Sequence, residues 1–148
     1  MKNRKKTYII VLVIVFLAVI LIDLVRPIER ERSDLIDNYN GVVNAYNSIE
    51  KDNEIILTLY SRIPIKTVTN YKFSSEELVN VSYTNYYKSK IEAIFYYFES
   101  FLNNKTYDNV KLRGNSISYN ILGDNKLTTK DEILLYIQKA FGNVQQVD

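Results

Sequence analysis

The amino-acid sequence predicts an α+β protein in which an N-terminal transmembrane helix and a membrane-proximal coiled-coil helix precede a small ferredoxin-like domain. Three observations lead to this prediction. An apolar run lies near the N-terminus, apolar residues then recur at every seventh position, and the remaining residues alternate between strand-like and helix-like patterns. The 148 residues leave room for one small domain beside these two helices.

Residues 8–25 are apolar except for Asp23, which lies near the end of the run. As a helix they would be about 27 Å long, which predicts a transmembrane segment. A cleaved signal peptide is the alternative, but it would end in a pair of small residues, and Ala18 is the only small residue in the run. We therefore predict a retained signal-anchor that contacts membrane lipid.

The orientation follows from the charges on either side of this run. Four cations crowd the tail formed by residues 1–7, against three arginines mixed with acids just beyond residue 25. The composition, rich in Lys, Asn, Ile and Tyr, is typical of AT-rich bacterial genomes. The positive-inside rule then predicts a cytoplasmic tail and a single pass through the bacterial cytoplasmic membrane, with the C-terminal domain outside.

Residues 28–63 repeat aliphatic side chains at intervals of seven, from Ile28 to Ile63, and mostly tyrosine four positions later. This spacing predicts a coiled coil that forms a homo- or heterodimer. An amphipathic helix that packs on its own domain is the alternative, because Ile36, Val43 and Leu57 widen the apolar stripe. Whether the helix continues through Pro27 from the preceding run is left open. The predicted partner interface comprises Leu35, Tyr39, Val42, Tyr46, Ile49, Asn53, Ile56 and Tyr60.

Residues 66–148 are predicted to form the small domain, with the element order βαββαβ. Alternation in "ELVNVSYT" favours a strand, although Ser74 and Glu77 form a capping-box pattern that allows one helix from Ser75 to Leu102. A helix over 87–103, with a stripe from Ile91 to Leu102, and a hairpin turn at "GN" follow. A second capping box, "TKDE", opens a helix that ends at "FG", before a short edge strand. This order is that of a ferredoxin-like fold.

The composition excludes several classes of function. Once the four cations of the tail are set aside, 15 cations face 17 acids, so residues 7–148 carry a net charge of −2 and lack the basic face of a nucleic-acid-binding protein. The chain has no Cys and no His, which removes thiolate and imidazole chemistry. Glu92 and Glu99 lie among lysines on the polar side of a helix. We therefore expect no catalytic residue, no metal, no cofactor and no small-molecule substrate.

Thirteen tyrosines remain without a predicted role. Four of them, Tyr86, Tyr87, Tyr96 and Tyr97, cluster on or near the helix predicted over 87–103. Tyrosine suits protein interfaces because it combines apolar area with a polar group. A tyrosine-rich core in a small domain is the equally favoured alternative.

The whole layout, with "RPIERERSDL" leading into heptads and "VNVSYTNYYKSKIEAIFYYFESFLNN" as strand then helix, resembles the PilO/GspM-type inner-membrane components of type IV pilus and type II secretion systems. That resemblance implies a non-catalytic scaffold that pairs with other platform proteins. A divisome protein of the FtsL/DivIC type is an alternative, although such chains usually carry little folded mass after the coil. A conjugation-channel subunit with a cystatin-like domain is a third, which would need a longer curved sheet than the predicted one.

Overall fold

The computed structural model describes residues 2–26, 43, 45–101, 107–121, 127 and 129–147, with backbone only for 2–8 and 101. All structural statements concern these residues. The elements, in chain order, are α1 (Lys2–Val25), β1 (Ala45–Lys51), β2 (Glu54–Tyr60), β3 (Lys66–Ser74), β4 (Glu77–Tyr86), α2 (Lys90–Tyr96), the π-helical turn π1 (Tyr97–Phe101), β5 (Tyr107–Arg113), β6 (Ser116–Ile121), α3 (Lys130–Phe141) and β7 (Gln145–Gln146).

The strands form one seven-stranded sheet in the order β5-β6-β4-β3-β2-β1-β7. Neighbours are antiparallel, except that β7 runs parallel to β1. Four consecutive strands from residue 45 to residue 86 form a meander before α2 begins. The predicted ferredoxin-like βαββαβ order is therefore wrong, because the segment assigned to a helix before the domain supplies two strands of the sheet.

The predicted coiled-coil helix over 28–63 is likewise wrong within the described residues, and residues 27–42 and 44 lie outside them. A tight turn at Asp52 and Asn53 joins β1 to β2, and Ile49 pairs with Ile56 across the hairpin. Seven residues separate these two isoleucines in sequence because the chain reverses direction between them. The apolar positions of β2 recur with a period of two, which places every second side chain on the same face.

The β3–β4 connection decides between the two predictions for residues 75–102 in favour of the strand. Ser75 and Glu76 adopt φ values of 50° and 74°, as in the tight turns of β-hairpins, and β4 then pairs with β3. The capping-box pattern at Ser74 therefore does not start a helix. The hairpin at Gly114, the capping box at Thr129 and the short edge strand agree with the sequence patterns.

Helices α2 and α3 cover one face of the sheet. α3 buries Ile133 and Ile137 against the part built from β1 to β4, in a core that includes Ile55 and Leu57. α2 buries Ala93 over β6, beside Ile117 and Tyr87. The face contains two neighbouring apolar clusters, one under each helix.

Helix α1 precedes the sheet and carries the apolar run. Its side chains are described from Ile9 onward, and the run includes Asp23. No helix among the described residues is long and apolar enough to cross a membrane. This finding contradicts the predicted transmembrane helix and signal-anchor, and with them the predicted single-pass localisation.

Candidate interaction surface

The exposed side of α2 and π1 carries large apolar side chains. Ser89 caps α2 by accepting a hydrogen bond from the Glu92 backbone N–H at 3.3 Å, and the Glu92 carboxylate accepts one from the Lys88 N–H at 2.8 Å. These bonds fix the start of the helix and therefore the direction of each following side chain.

Ala93 is fully buried, and the rings of Tyr87 and Tyr96 stack at 5.1 Å on the same side of α2. The opposite side bears three residues whose exposed fractions are 45% (Ile91), 61% (Phe95) and 59% (Phe98). We call these three residues the apolar stripe. Large aromatic side chains left this exposed are typical of an interface rather than of a free surface.

Helix α1 packs against α2 and adds to the stripe. The Asp23 carboxylate pairs with the Lys90 ammonium at the start of α2. Toward the N-terminus, consecutive apolar side chains of α1 are exposed on all sides of the helix. Fourteen of them are exposed by 40 to 71%. The α1–α2 apolar surface is defined as these fourteen side chains, within Ile9–Val25, together with the apolar stripe.

The sequence predicted the helix but not which side of it faces outward. Ile91, Phe95 and Phe98 belong to the apolar stripe that predicted an amphipathic helix, and such a stripe usually faces the core. Instead the small Ala93 lets α2 approach the sheet closely, and tyrosines fill the space on either side of it. Which side of α2 faces the sheet depends on the shape of the sheet, and the local sequence pattern carries no information about that shape.

The predicted partner interface does not form one continuous surface. Tyr46 lies in the core under α3, with its ring centroid 5.9 Å from that of Phe141. Ile49 and Ile56 lie on the other face of the sheet, because they alternate with the buried Ile55.

Asn53 lies in the β1–β2 turn, where its carbonyl accepts a bond from the Phe73 N–H, and Tyr60 packs against Ala45 and Val147. The remaining predicted positions, Leu35, Tyr39 and Val42, lie outside the described residues. A role for any of these eight residues in binding a partner stays a prediction.

The tyrosines join the two core clusters. The rings of Tyr83 and Tyr119 stack at 5.3 Å, and the edge of Tyr107 meets Tyr119 at 4.7 Å. Of the four tyrosines noted in the sequence, Tyr87, Tyr96 and Tyr97 belong to the cluster under α2. The Lys66 ammonium lies 5.0 Å from the ring centre of the fourth, Tyr86.

Burial determines the chemistry of these phenols. It raises the pKa of Tyr119 to about 12, with a further contribution from the neighbouring Tyr107, and it raises the pKa of Tyr87 to about 12. Burial also raises the pKa of Tyr71 and that of Tyr83. These hydroxyls therefore stay neutral near pH 7 and are poor general bases.

The carboxylates of the described residues serve local structure. The Glu54 carboxylate accepts hydrogen bonds from Lys51 at 2.9 Å and Asn70 at 3.1 Å, which lower its pKa. Glu92 caps α2, and Glu132 caps α3. Within the described chain no group of three or more acidic residues lies close enough together to hold a metal ion.

Comparison with known proteins adds no relative. No family model, no curated protein and no solved structure matches the chain. The function is therefore inferred from the residues of this chain alone.

Proposed function

We propose that this chain is a non-enzymatic scaffold or assembly protein that acts through protein–protein contacts. The observation that carries the proposal is the α1–α2 apolar surface. A monomeric protein rarely leaves a contiguous apolar patch larger than about 300–600 Å² in water. Seventeen apolar side chains of α1 and the stripe are each roughly half exposed, which at roughly 60–120 Å² for a full side chain amounts to about 500–1000 Å², so this surface is expected to be covered when the protein acts.

The chemistry of the chain supports a binding role over a catalytic one. There is no His or Cys to act as a base or nucleophile. The tyrosines with raised pKa values remain protonated, and Glu92 and Glu132 serve as helix caps. What the described residues offer a partner is apolar area.

These findings remove the structural basis of the resemblance to PilO/GspM-type components. The likeness to PilO/GspM-type components rested on an anchor, a coil and a ferredoxin-like domain, and the described residues contain no helix able to span a membrane, no coiled-coil helix and no βαββαβ order. The divisome alternative rested on the same anchor and coil. The proposal therefore keeps only the general class of function, a non-enzymatic scaffold or assembly protein.

A conjugation-channel subunit is the second candidate, and one observation favours it. That hypothesis needed a cystatin-like domain with a longer sheet than the predicted βαββαβ order provides. The sheet has seven strands, with α2 and α3 on one face, which is more strands than that order provides.

Photo-cross-linking in the producing cell tests the proposal. A photoreactive phenylalanine analogue at Phe95 is expected to give discrete protein adducts, whereas the same analogue at Leu135 is not. Leu135 is the matched control because it is 49% exposed on α3, away from the apolar stripe. Identical adduct patterns at the two positions, or none at either, would contradict the proposal, and adducts with conjugation proteins would select the second candidate.

A further inference from the structure

We propose that a second copy of this chain covers the α1–α2 apolar surface, in a parallel pair. This inference rests on the proposed function and names the first partner of that surface. Three features support it. They are the exposed apolar area, the contact between α1 and α2 within the chain, and the distribution of charge along α1.

The area is sufficient for a stable pair. Burying a Val, Leu, Ile or Phe side chain removes roughly 60 to 120 Å² of apolar surface from water. Fourteen such side chains on α1 and three on the stripe are exposed by 40 to 71%. A stable interface buries about 800 Å² on each partner, which these seventeen side chains, each roughly half exposed, can supply together.

The contact continues one that already exists within the chain. Leu24 is half-buried in the last turn of α1, where α1 packs on α2 and Asp23 pairs with Lys90. The stripe lies on α2, beside this contact. A second α1 placed along the first would therefore extend the packing that joins α1 to α2.

The charges select the parallel arrangement. The stripe lies at the C-terminal end of α1, whereas four cations occupy residues 2–6 at the other end. An antiparallel pair would bring the cationic end of one copy against the stripe of the other, and a charge against apolar surface is costly. A parallel pair places the two stripes at the same end and the two cationic ends side by side in water, where salt screens their repulsion.

The surface is also self-complementary. Asp23 is its one charged neighbour among the described residues of α1 from Ile9 onward, and Asp23 is paired with Lys90. Because the surface is apolar, it can pack against an identical surface without matching opposite charges. Two identical surfaces related by a two-fold axis close into a finite dimer rather than a filament.

Sedimentation equilibrium of the full chain is the first test. The wild-type chain is expected to have the mass of a dimer, and the double variant F95D/F98D is expected to weaken association at least tenfold. The control is L135D, which places the same charge at an exposed apolar residue outside the surface and should leave the mass unchanged. Circular dichroism of each variant separates weakened pairing from loss of fold.

Single cysteines provide the second test, because the chain has none of its own. Cysteine is introduced singly at each of residues 14–17, which cover one full turn of α1. In a parallel pair, at least one of these positions is expected to form a disulfide with the same residue of the other copy. Leu135→Cys, on α3, should form none.

Three outcomes would overturn this inference. They are a chain that stays monomeric, disulfides that form equally at every position including 135, and a chain that binds phosphatidylglycerol vesicles as a monomer. If Phe95 cross-links in cells only to a different protein, the second copy is excluded but the proposed function stands. If the chain is monomeric and gives no adducts in cells, both fail.

Discussion

Replacing Ile133 with alanine is expected to destabilise the fold strongly. Ile133 is 1% exposed and holds α3 on the sheet, beside Ile55 and Leu57. The substitution removes three carbon groups, which costs about 2.4 kcal/mol in transfer free energy at about 0.8 kcal/mol each. The cavity that remains raises the total into the range of about 2–5 kcal/mol.

Urea unfolding followed by circular dichroism measures this loss. With a slope of about 1–3 kcal/mol per molar urea, the midpoint should fall by about 1 M or more. Leu135→Ala is the matched control on the same helix, where 49% exposure predicts a change within about 0.5 kcal/mol. Equal midpoints for the two variants would refute the packing of α3 on the sheet through Ile133.

Three further predictions concern titration, capping and the β5–β6 hairpin. Tyr119 has a pKa near 10 when unfolded and about 12 when folded, so its contribution to stability is full below pH 10 and is lost as the pH rises toward 12. The variant Tyr119→Phe should therefore show a smaller fall in unfolding free energy than the wild type between pH 9 and pH 12. Thr129→Ala removes the side chain that caps α3 and should cost about 1 kcal/mol in urea unfolding, with Thr129→Ser retaining most of the stability. Gly114→Ala should lower the free energy of unfolding by about 1–2 kcal/mol, because a φ of 58° is strained for alanine even though space is free around the added carbon. An unchanged urea midpoint would contradict this turn geometry.

Local chemistry was sufficient to predict some elements. The Gly114–Asn115 turn needs a positive φ, and the Thr129 and Glu132 capping box starts a helix from two side chains three residues apart. Both signals depend on near neighbours only. The alternation at Val79, Val81 and Tyr83 also outweighed the competing capping pattern, since β4 can pair on both sides.

Longer-range features could not be predicted in the same way. Ile49 and Ile56 match a heptad spacing equally well in a helix and across a hairpin with a two-residue turn. The period of two in Ile55, Leu57 and Leu59 was the signal that could have found the hairpin. The outward direction of Phe95 and Phe98 had no such signal, because it depends on how Ala93 and the tyrosines fit over β6.

We hold that the α1–α2 apolar surface is an interface, and an introduced tryptophan tests this claim. The chain has no Trp, so Phe98→Trp places its single tryptophan in the stripe and keeps an aromatic side chain there. We predict that its emission maximum moves to shorter wavelength as the concentration of the purified chain is raised, while that of Leu135→Trp does not move. A Phe98→Trp emission that stays at the wavelength of a water-exposed indole at every concentration would contradict the claim.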